Sequence, residues 1–331
     1  MKNINAFVAS VVLAVVSSAD AERLVPEDYP TIAAAFAACV AGDVVSVGSG
    51  TFNVGTITMP AVPITLRGRG LASETVLTGA MVNVFSGSGV RTIENLTMRG
   101  FTDYAAIQVH GASAIVRSVT LEDNAVHGIF LNTNATADTT DCVFRGSCRG
   151  GYAYVNSTWN ATDCSFESNS CDAYGGGAAF HVGSGGSFLR CNFVGNAAGA
   201  GGAIGLSFGG SRVFDQCFFE GNTSPNGPVW WTEFGASGVL KNSTLCGHSA
   251  ADIVGGWVDG GGNQFFPKGC APPCPGDISG NNIVDGVDLA ALLGAWGTNG
   301  LGEFDCDIDN DGLVGGSDLA VVLDGWGLCP N

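Results

Sequence analysis

The chain has 331 residues, of which 51 are glycine and only 13% are charged, and this composition excludes a helical bundle. It is still 46% hydrophobic, so it can bury a large core. Its formal net charge of −17 comes from 30 acidic against 13 basic residues, and such a surface repels nucleic acid and anionic membranes. Nucleic-acid binding is therefore not expected, and the acidic surface suits a calcium-containing medium.

The first 21 residues have the features of a secretory signal. Lys2 provides the positive start, residues 4–16 form an apolar run, and Ala19-Asp20-Ala21 matches an A-x-A cleavage site. The apolar run is shorter than the roughly 20 residues that a membrane span needs, and no later segment is long enough to span. We therefore expect an exported protein, secreted or held at the cell surface.

An amphipathic helix is predicted next. Thr31 is a suitable N-cap, and Ile32, Phe36 and Val40 fall on one helical face ahead of an apolar strand at 44–47. Laid across the open end of a solenoid, such a helix shields the apolar interior of the first coil and blocks edge-to-edge pairing. The sequence therefore predicts an N-terminal capping helix.

One short, strand-like sequence motif recurs between residues 141 and 222, and weaker copies precede and follow this region. Its large apolar residue recurs at spacings of 23, 23, 22, 27, 26 and 26 residues, as Met98, Leu121, Phe144, Phe166, Phe193, Phe219 and Leu245. A period in this range, with one strand-sized unit per repeat, is typical of a solenoid.

Three further columns share this period. Two residues before the apolar column, a second inward column is predicted at Leu96, Val119, Cys142, Cys164, Cys191, Cys217 and Ser243. An outward ladder of alternating charge is predicted at Arg99, Glu122, Arg145 and Glu167. Turn asparagines, which tolerate left-handed backbone angles and whose amides can bond to the next coil, recur at Asn124, Asn169, Asn196 and Asn222. Together the columns predict an all-β fold, a right-handed parallel β-helix solenoid over residues 22–266.

The repeat motifs and the N-terminal signals each resemble a known group of proteins. The FxxN motifs ending at Asn169, Asn196 and Asn222, with the GGAI motif at 201–204, resemble the repeats of polymorphic outer-membrane proteins. That family is displayed on the cell surface and is associated with adhesion. The helix and strand that open the chain resemble the entry of pectin-lyase-like β-helix proteins, a superfamily of carbohydrate-active enzymes and their relatives.

After a predicted linker at 267–275, two 12-residue loops carry oxygen donors at matching positions. Calcium takes six to eight oxygen ligands, on a loop that bends sharply near position 6. The predicted ligands of the first loop are Asp277, Ser279, Asn281, the Ile283 carbonyl, Asp285 and Asp288. Those of the second loop are Asp307, Asp309, Asp311, the Leu313 carbonyl and Asp318. Two Ca²⁺ sites are therefore predicted, and the second, with more charge and Gly312 at its bend, should bind more tightly than the first, which has Asn282 there.

Each loop leads into a short apolar helix, and this duplicated, EF-hand-like unit at 276–331 resembles a type I dockerin. The resemblance covers residues 275–327 and implies a tail that tethers secreted carbohydrate-active proteins to cohesin domains. The residues that read the partner in that family lie at loop positions 10 and 11 and are commonly Ser or Thr. Here they are Gly286-Val287 and Gly316-Ser317, a departure that concerns the cohesin-type partner and not the calcium.

Twelve cysteines in an exported chain indicate disulfide bonds. The four cysteines of the inward column are expected to act as small buried hydrophobes instead. Cys148 and Cys171 fall just past the turns of adjacent coils and are the better candidate pair. Three pairings are open to the four cysteines that flank the calcium loops, Cys270, Cys274, Cys306 and Cys329.

The candidate catalytic residues are Asp141, Asp163 and Arg190, which occupy equivalent positions of successive coils. Two like charges about 5 Å apart should raise the pKa of one carboxyl group, and the arginine could hold an acidic sugar. The alternative is a solvated outer face. The paired-Asp and Arg signatures of pectinesterases, polygalacturonases and pectate lyases are absent from the sequence.

Three functions remain open at this stage. The favoured hypothesis is a non-catalytic protein that binds, or is displayed on, extracellular polysaccharide. A polysaccharide lyase or glycoside hydrolase is the second, and a structural adhesin is the third. Trp159, Trp230 and Trp231 could stack on sugars, although at least one of the adjacent pair should point into the core.

Overall fold

The computed structural model describes residues 21–329 apart from 268, 271–273, 282, 301–305 and 310. Its internal contacts divide the chain into two compact units, which meet in sequence between Phe265 and Phe266. The predicted secretory signal, apart from Ala21, and Asn282 of the first calcium loop lie outside the described residues.

The first unit is a parallel β-helix in which each coil pairs in register with the next. Strands are numbered in chain order. The first sheet contains β1 (Glu22–Val25), β2 (Val44–Val47), β4 (Thr65–Gly68), β6 (Val90–Arg99), β8 (Ser113–Glu122), β10 (Thr136–Thr140), β13 (Thr158–Thr162), β17 (Gly186–Leu189), β21 (Arg212–Asp215), β24 (Val239–Lys241) and β27 (Val258–Asp259).

The second sheet continues from the ends of β6 and β8 and contains β3 (Gly50–Thr58), β5 (Thr75–Phe85), β11 (Val143–Arg145), β14 (Ser165–Glu167), β18 (Asn192–Val194), β22 (Phe218–Glu220), β25 (Thr244–Cys246) and β28 (Gln264–Phe266). The third sheet continues from the ends of β3 and β5 and contains β7 (Ala105–His110), β9 (His127–Asn132), β12 (Arg149–Ala153), β16 (Ala178–Phe180), β20 (Ile204–Ser207), β23 (Trp230–Glu233) and β26 (Ile253–Val254).

The predicted apolar column is confirmed as one continuous stack inside the second sheet. Its seven members pair coil to coil, from Met98 to Leu245. Successive phenylalanine rings lie nearly parallel at centroid distances of 4.8, 4.7 and 5.0 Å. The four cysteines of the neighbouring column are buried free thiols, as predicted. The repeat period therefore fixes which residues fill the core.

The turn asparagines form the predicted amide ladder between coils. The Asn196 amide donates to the Phe166 carbonyl at 2.8 Å and to the Asn222 side-chain oxygen at 3.0 Å. The same contacts recur one coil earlier, at Asn169. The expectation of left-handed angles at these asparagines is wrong, since the residue before each one takes the positive φ, as Gly195 does at 64°. The asparagine itself turns inward, where its amide is buried.

The charge ladder on the second sheet is formed at three of its four predicted positions. The buried Glu122 carboxylate accepts from both Arg99 and Arg145, and these bonds outweigh the opposing effect of burial and lower its pKa. Glu167 accepts instead from the hydroxyl of Ser165 in its own strand, at 2.6 Å. The predicted alternation therefore ends at Arg145.

The N-terminal helix α1 (Ile32–Ala38) packs onto the first coil. The Thr31 hydroxyl caps it by accepting from the Ala34 N–H at 3.1 Å, and Ile32 and Phe36 are buried in the main core, as predicted. Val40 does not share this face, because the helix ends at Ala38 and leaves Val40 half exposed.

Two longer coils carry an additional parallel pair, β15 (Ser170–Tyr174) and β19 (Ala197–Ala200), between the second and third sheets. These strands hold the extra residues that lengthen the period from 22 to 27 at this point. The predicted Cys148–Cys171 disulfide is formed and joins β15 to the coil before it. The insertion is thereby tied down beside the third sheet.

The described residues of the second unit form two helices, α2 (Gly286–Gly294) and α3 (Gly316–Asp324), and one antiparallel pair, β29 (Ile283–Val284) with β30 (Gly327–Leu328). It has its own small core, and a Cys274–Cys329 disulfide joins its ends. The core residues are Val284, Leu292, Cys306, Val314 and Val322.

Candidate functional site

The predicted catalytic column lies at the turn between the first and second sheets. Asp141, Asp163 and Arg190 take nearly identical left-handed angles, with φ of 52°, 53° and 52°. Arg190 donates to both carboxylate oxygens of Asp163 at 2.7 Å, in an exposed pair. These hydrogen bonds lower the pKa of Asp163, so the expected raised carboxyl pKa is wrong for this residue. The catalytic role of the three residues stays a prediction.

A continuous aromatic surface, which was not predicted from the sequence, covers the outer face of the third sheet. Tyr152 lies in β12 and Tyr154 directly follows the strand, and alternation along the extended chain places both rings on the outside. Neighbouring rings lie 4.3–6.3 Å apart from coil to coil. We call this surface the aromatic face; its exposed and half-exposed members are Tyr104, Tyr152, Tyr154, Tyr174, His181, Phe208, Trp231 and Phe234.

Tyr174 joins the aromatic face because the β15 insertion folds over the third sheet. Its ring lies 5.9 Å from that of His181 and 5.7 Å from that of Trp231. Gly175 follows with φ of 71°, and a Cβ there would lie only 2.6 Å from the Ala178 carbonyl. Glycine at this position therefore lets the chain lie close against the sheet and brings Tyr174 between two coils.

At the far end of the face, Phe208 and Phe234 stack at 4.3 Å and remain largely exposed. Both take left-handed angles, with φ of 53° and 50°, at equivalent turns of adjacent coils. Phe208 also meets His181 edge-on at 4.8 Å. Large apolar side chains in strained, exposed turns are not explained by core packing, and they extend the surface available for binding.

Arg149 lies beneath the middle of the aromatic face. It is 9% exposed, and its Nε donates to the Tyr174 carbonyl at 2.7 Å. Its guanidinium carbon lies 5.3 Å from the Tyr152 ring centre and 5.6 Å from that of Tyr174. Burial lowers the pKa of this guanidinium. Among the described residues, no carboxylate forms an ion pair with it.

His127 pairs with Arg149 across adjacent coils and is fully buried beneath Tyr104, whose ring meets it edge-on at 4.8 Å. Neither of its ring nitrogens has a hydrogen-bond partner among the described residues. Burial, assisted by the nearby Arg149 charge, lowers the pKa of His127 to about 3. The imidazole is therefore neutral in the folded protein at neutral pH.

Acidification should destabilise the β-helix through His127. Because its pKa is near 6.5 when unfolded and about 3 when folded, the unfolded chain takes up the extra proton as the pH falls below 6.5. This group alone should lower the free energy of unfolding by about 2.5 kcal/mol between pH 7 and pH 4.5. Urea denaturation across this range measures the slope.

The His127→Leu variant should lose this part of the slope, while His110→Leu should keep it. His110 lies half-exposed on the same sheet, against Phe85. His248, also buried and with a lowered pKa, should account for part of the slope that remains. Equal slopes in His127→Leu and the parent protein would contradict this assignment.

The three tryptophans considered for sugar stacking differ in their exposure to solvent. Trp159 and Trp230 are fully buried in the main core, and the Trp159 indole N–H donates to the Thr139 hydroxyl at 3.1 Å. Trp231 points outward and is half-exposed on the aromatic face. The prediction that one of the adjacent pair points inward is therefore confirmed.

The second predicted calcium loop brings three of its predicted ligands together. Carboxylate oxygens of Asp307, Asp309 and Asp311 lie within 4.8 Å of one another. Asp318 is fully buried at the start of α3 and accepts from the backbone N–H groups of Ile308 and Gly315, each at 2.7 Å. Although burial alone would raise the pKa of Asp318, these bonds lower it and keep the group ionised. Clustered carboxylates of this kind fit a hard divalent cation.

The first loop repeats this arrangement with less charge. Asp288 is fully buried and accepts from the N–H groups of Ser279 and Asp285 at 2.7 and 2.8 Å. Asp277 accepts from the Asn281 N–H at 3.0 Å. Asp285 also caps α2 by accepting from the Val287 N–H, a role for which the second loop has only Gly315. The first loop thus shares the buried final carboxylate of the second, and Ca²⁺ binding by both loops stays a prediction.

No protein-family model matches the chain, and no curated protein matches it either. A pectin methylesterase from Aspergillus niger is similar in structure, with a TM-score of 0.45 and 18% identity over 76% of this chain and 86% of that one. ORF18 of Geobacillus virus E2 has a TM-score of 0.40 and 11% identity over 67% of this chain and 52% of that one. The A-module of a mannuronan C-5 epimerase from Azotobacter vinelandii has a TM-score of 0.27 and 10% identity over 67% of this chain and 88% of that one. At identities of 18% or less, the functions of these proteins are not transferred to this chain.

Within the described part of the chain, no helix is long and apolar enough to cross a bilayer.

Proposed function

We propose that this protein binds extracellular polysaccharide through the aromatic face of its β-helix. The observation that carries the proposal is the unbroken run of exposed and half-exposed rings along successive coils. Sugar rings present apolar C–H faces that pack on aromatic rings, while their hydroxyls bond to polar tips such as those of Tyr154 and Tyr174. Since coils repeat at about 4.8 Å, the face offers stacking positions along its length, as an extended polymer requires.

The size and position of this face favour a ligand over a structural role. The cores of the same coils are already filled by Trp159, Trp230 and the phenylalanine stack. The aromatic face adds a second set of rings outside the sheet, with Phe234 64% exposed. Contiguous exposed apolar surface with a polar rim marks interaction sites in soluble proteins.

We propose further that the second unit binds two Ca²⁺ ions and serves as the tether, with a cohesin-type domain as its partner. The paired loops and their buried final carboxylates, Asp288 and Asp318, support the calcium. When bound, the cations would neutralise the carboxylates of the loops. Formed disulfides at Cys148–Cys171 and Cys274–Cys329 support export to an oxidising medium, outside the cell or at its surface.

The test compares two aromatic deletions in the same coil. Trp231→Ala removes a ring from the aromatic face, and Phe218→Ala removes a half-buried ring from the outer face of the second sheet. In affinity electrophoresis against neutral and acidic polysaccharides, Trp231→Ala should bind about tenfold more weakly, as expected for an aromatic contact residue. Phe218→Ala should bind like the parent protein. Equal binding by both variants would refute the proposal.

A polysaccharide lyase or glycoside hydrolase is the second candidate, and the exposed Arg190–Asp163 pair favours it. If Asp141 and Asp163 act on a glycosidic bond, incubation with the same polymers should yield unsaturated products or new reducing ends. The Asp141→Asn/Asp163→Asn double variant should then be inactive yet folded. Absence of products and of polymer retention would leave the structural adhesin.

A further inference from the structure

We propose that Arg149 forms an oxyanion subsite at the centre of the aromatic face, which takes a carboxylate or sulfate group of an acidic polysaccharide. This inference rests on the proposed function and specifies its ligand. Its first observation is a buried guanidinium without an acidic partner. Removing a cation from water is strongly unfavourable unless an opposite charge or sufficient hydrogen bonds compensate it. Arg149 is only 9% exposed and has no ion pair among the described residues.

The donor atoms of Arg149 are only partly used. Nε donates to the Tyr174 carbonyl, while neither terminal nitrogen has a hydrogen bond to the described residues. Two other buried arginines behave differently, since the terminal nitrogens of Arg91 and Arg212 both donate to backbone carbonyls of neighbouring turns. Arg91 and Arg212 therefore stabilise the backbone of these turns. Arg149 retains the paired N–H groups that bind carboxylates and other oxyanions with two parallel bonds.

The surroundings of Arg149 are suited to an anion and poor in competing charge. The rings of Tyr152 and Tyr174 lie against the guanidinium, and the neutral His127 pairs with Arg149 across adjacent coils. Both nitrogens of His127 are buried without partners, although buried polar groups are normally hydrogen-bonded. A bound oxyanion would therefore enter a partly desolvated site in which the terminal N–H groups of Arg149 have no partner among the described residues.

The net charge of −17 does not oppose such a site at contact distance. Charges separated by more than about 8 Å are largely screened at physiological ionic strength. The electrostatic interaction with a bound anion is therefore determined by the nearby Arg149 guanidinium. The rings of Tyr152 and Tyr174 on either side would stack on the sugar that carries the anionic group. A single sugar residue would thus satisfy the apolar and charged parts of the face together.

The experiment uses the full chain and two matched pairs of polymers. Alginate is compared with its propylene-glycol ester, in which the carboxylates are capped, and κ-carrageenan is compared with neutral agarose. Arg149→Gln should weaken binding to the charged member of a pair at least tenfold and leave the neutral member within twofold. Arg149→Lys, which keeps the charge and loses the paired donors, should fall between. The pair that responds distinguishes carboxylate from sulfate.

Arg117→Gln is the matched control, because it removes the same charge from an exposed arginine on the first sheet that pairs with Glu94 at 3.2 Å. It should bind every polymer like the parent protein. Equal weakening of charged and neutral polymers by Arg149→Gln would show that Arg149 only positions Tyr174, and would overturn the oxyanion subsite alone. If the parent protein binds the charged and the neutral member of each pair with equal affinity, the oxyanion subsite is also overturned. Absence of binding to all four polymers would refute the proposed function and this inference with it.

Discussion

The Asn196→Ala variant is expected to lose about 4 kcal/mol of its free energy of unfolding, a large effect for one polar residue. Asn196 is fully buried, and it donates to the Phe166 carbonyl. Its side-chain oxygen accepts from the backbone and side-chain amides of Asn169. Truncation leaves these groups buried and unpaired, each at a cost of about 1–3 kcal/mol that is only partly additive. Urea denaturation, followed by circular dichroism, measures the loss.

Asn192→Ala is the matched control, since Asn192 lies four residues earlier in the same coil with its side chain exposed. It should change the denaturation midpoint little. Asn196→Asp should be at least as damaging as Asn196→Ala at pH 7, because a carboxylate cannot donate to the Phe166 carbonyl or to Asn222. Lowering the pH should restore part of this loss by protonating the buried acid. A midpoint for Asn196→Ala equal to that of Asn192→Ala would mean that the amide ladder contributes nothing.

The periodic parts of the β-helix could be predicted because each coil repeats the same physical requirement. A column such as Phe166, Phe193 and Phe219 must stay at one position of the coil to remain inside, so spacing alone gives the register. The amide ladder follows for the same reason. Its backbone angle could not be assigned, because either the asparagine or the preceding Gly195 could supply the positive φ that the turn needs.

The aromatic face could not be predicted from the same periodicity. The third sheet lies beyond turns of variable length, and the β15 insertion shifts its register relative to the phenylalanine column. Tyr174 reaches the face from that insertion and not from a strand of the third sheet. The one local signal was the alternation of Tyr152 and Tyr154, which indicates a shared face without showing whether it is inside or outside. The candidate site therefore depends on tertiary contacts that one sequence does not encode as a repeat.

The Asp318→Asn variant is expected to lose the tighter of two calcium-binding events in the second unit. Saturating calcium, at about 1,000 times its dissociation constant, should stabilise each loop by about 4 kcal/mol. Asp318 orients the loop by accepting from the Ile308 and Gly315 N–H groups, and Ile308 directly follows Asp307 of the carboxylate cluster. An amide of the same size removes one negative charge and replaces an acceptor oxygen with a donor. Isothermal titration of the full chain should show two ions for the parent protein and one for the variant.

Asp324→Asn separates a loop effect from a general charge effect, because Asp324 ends the same helix, α3, with its side chain exposed. It should keep both binding events and the calcium-dependent stability. Asp288→Asn in the first loop should remove the weaker event and leave the tighter one, since the two loops use equivalent buried carboxylates. Two unchanged events in Asp318→Asn would place the ion elsewhere. Heat-induced unfolding that chelator does not alter would mean that the loop carboxylates tolerate their mutual repulsion without a cation.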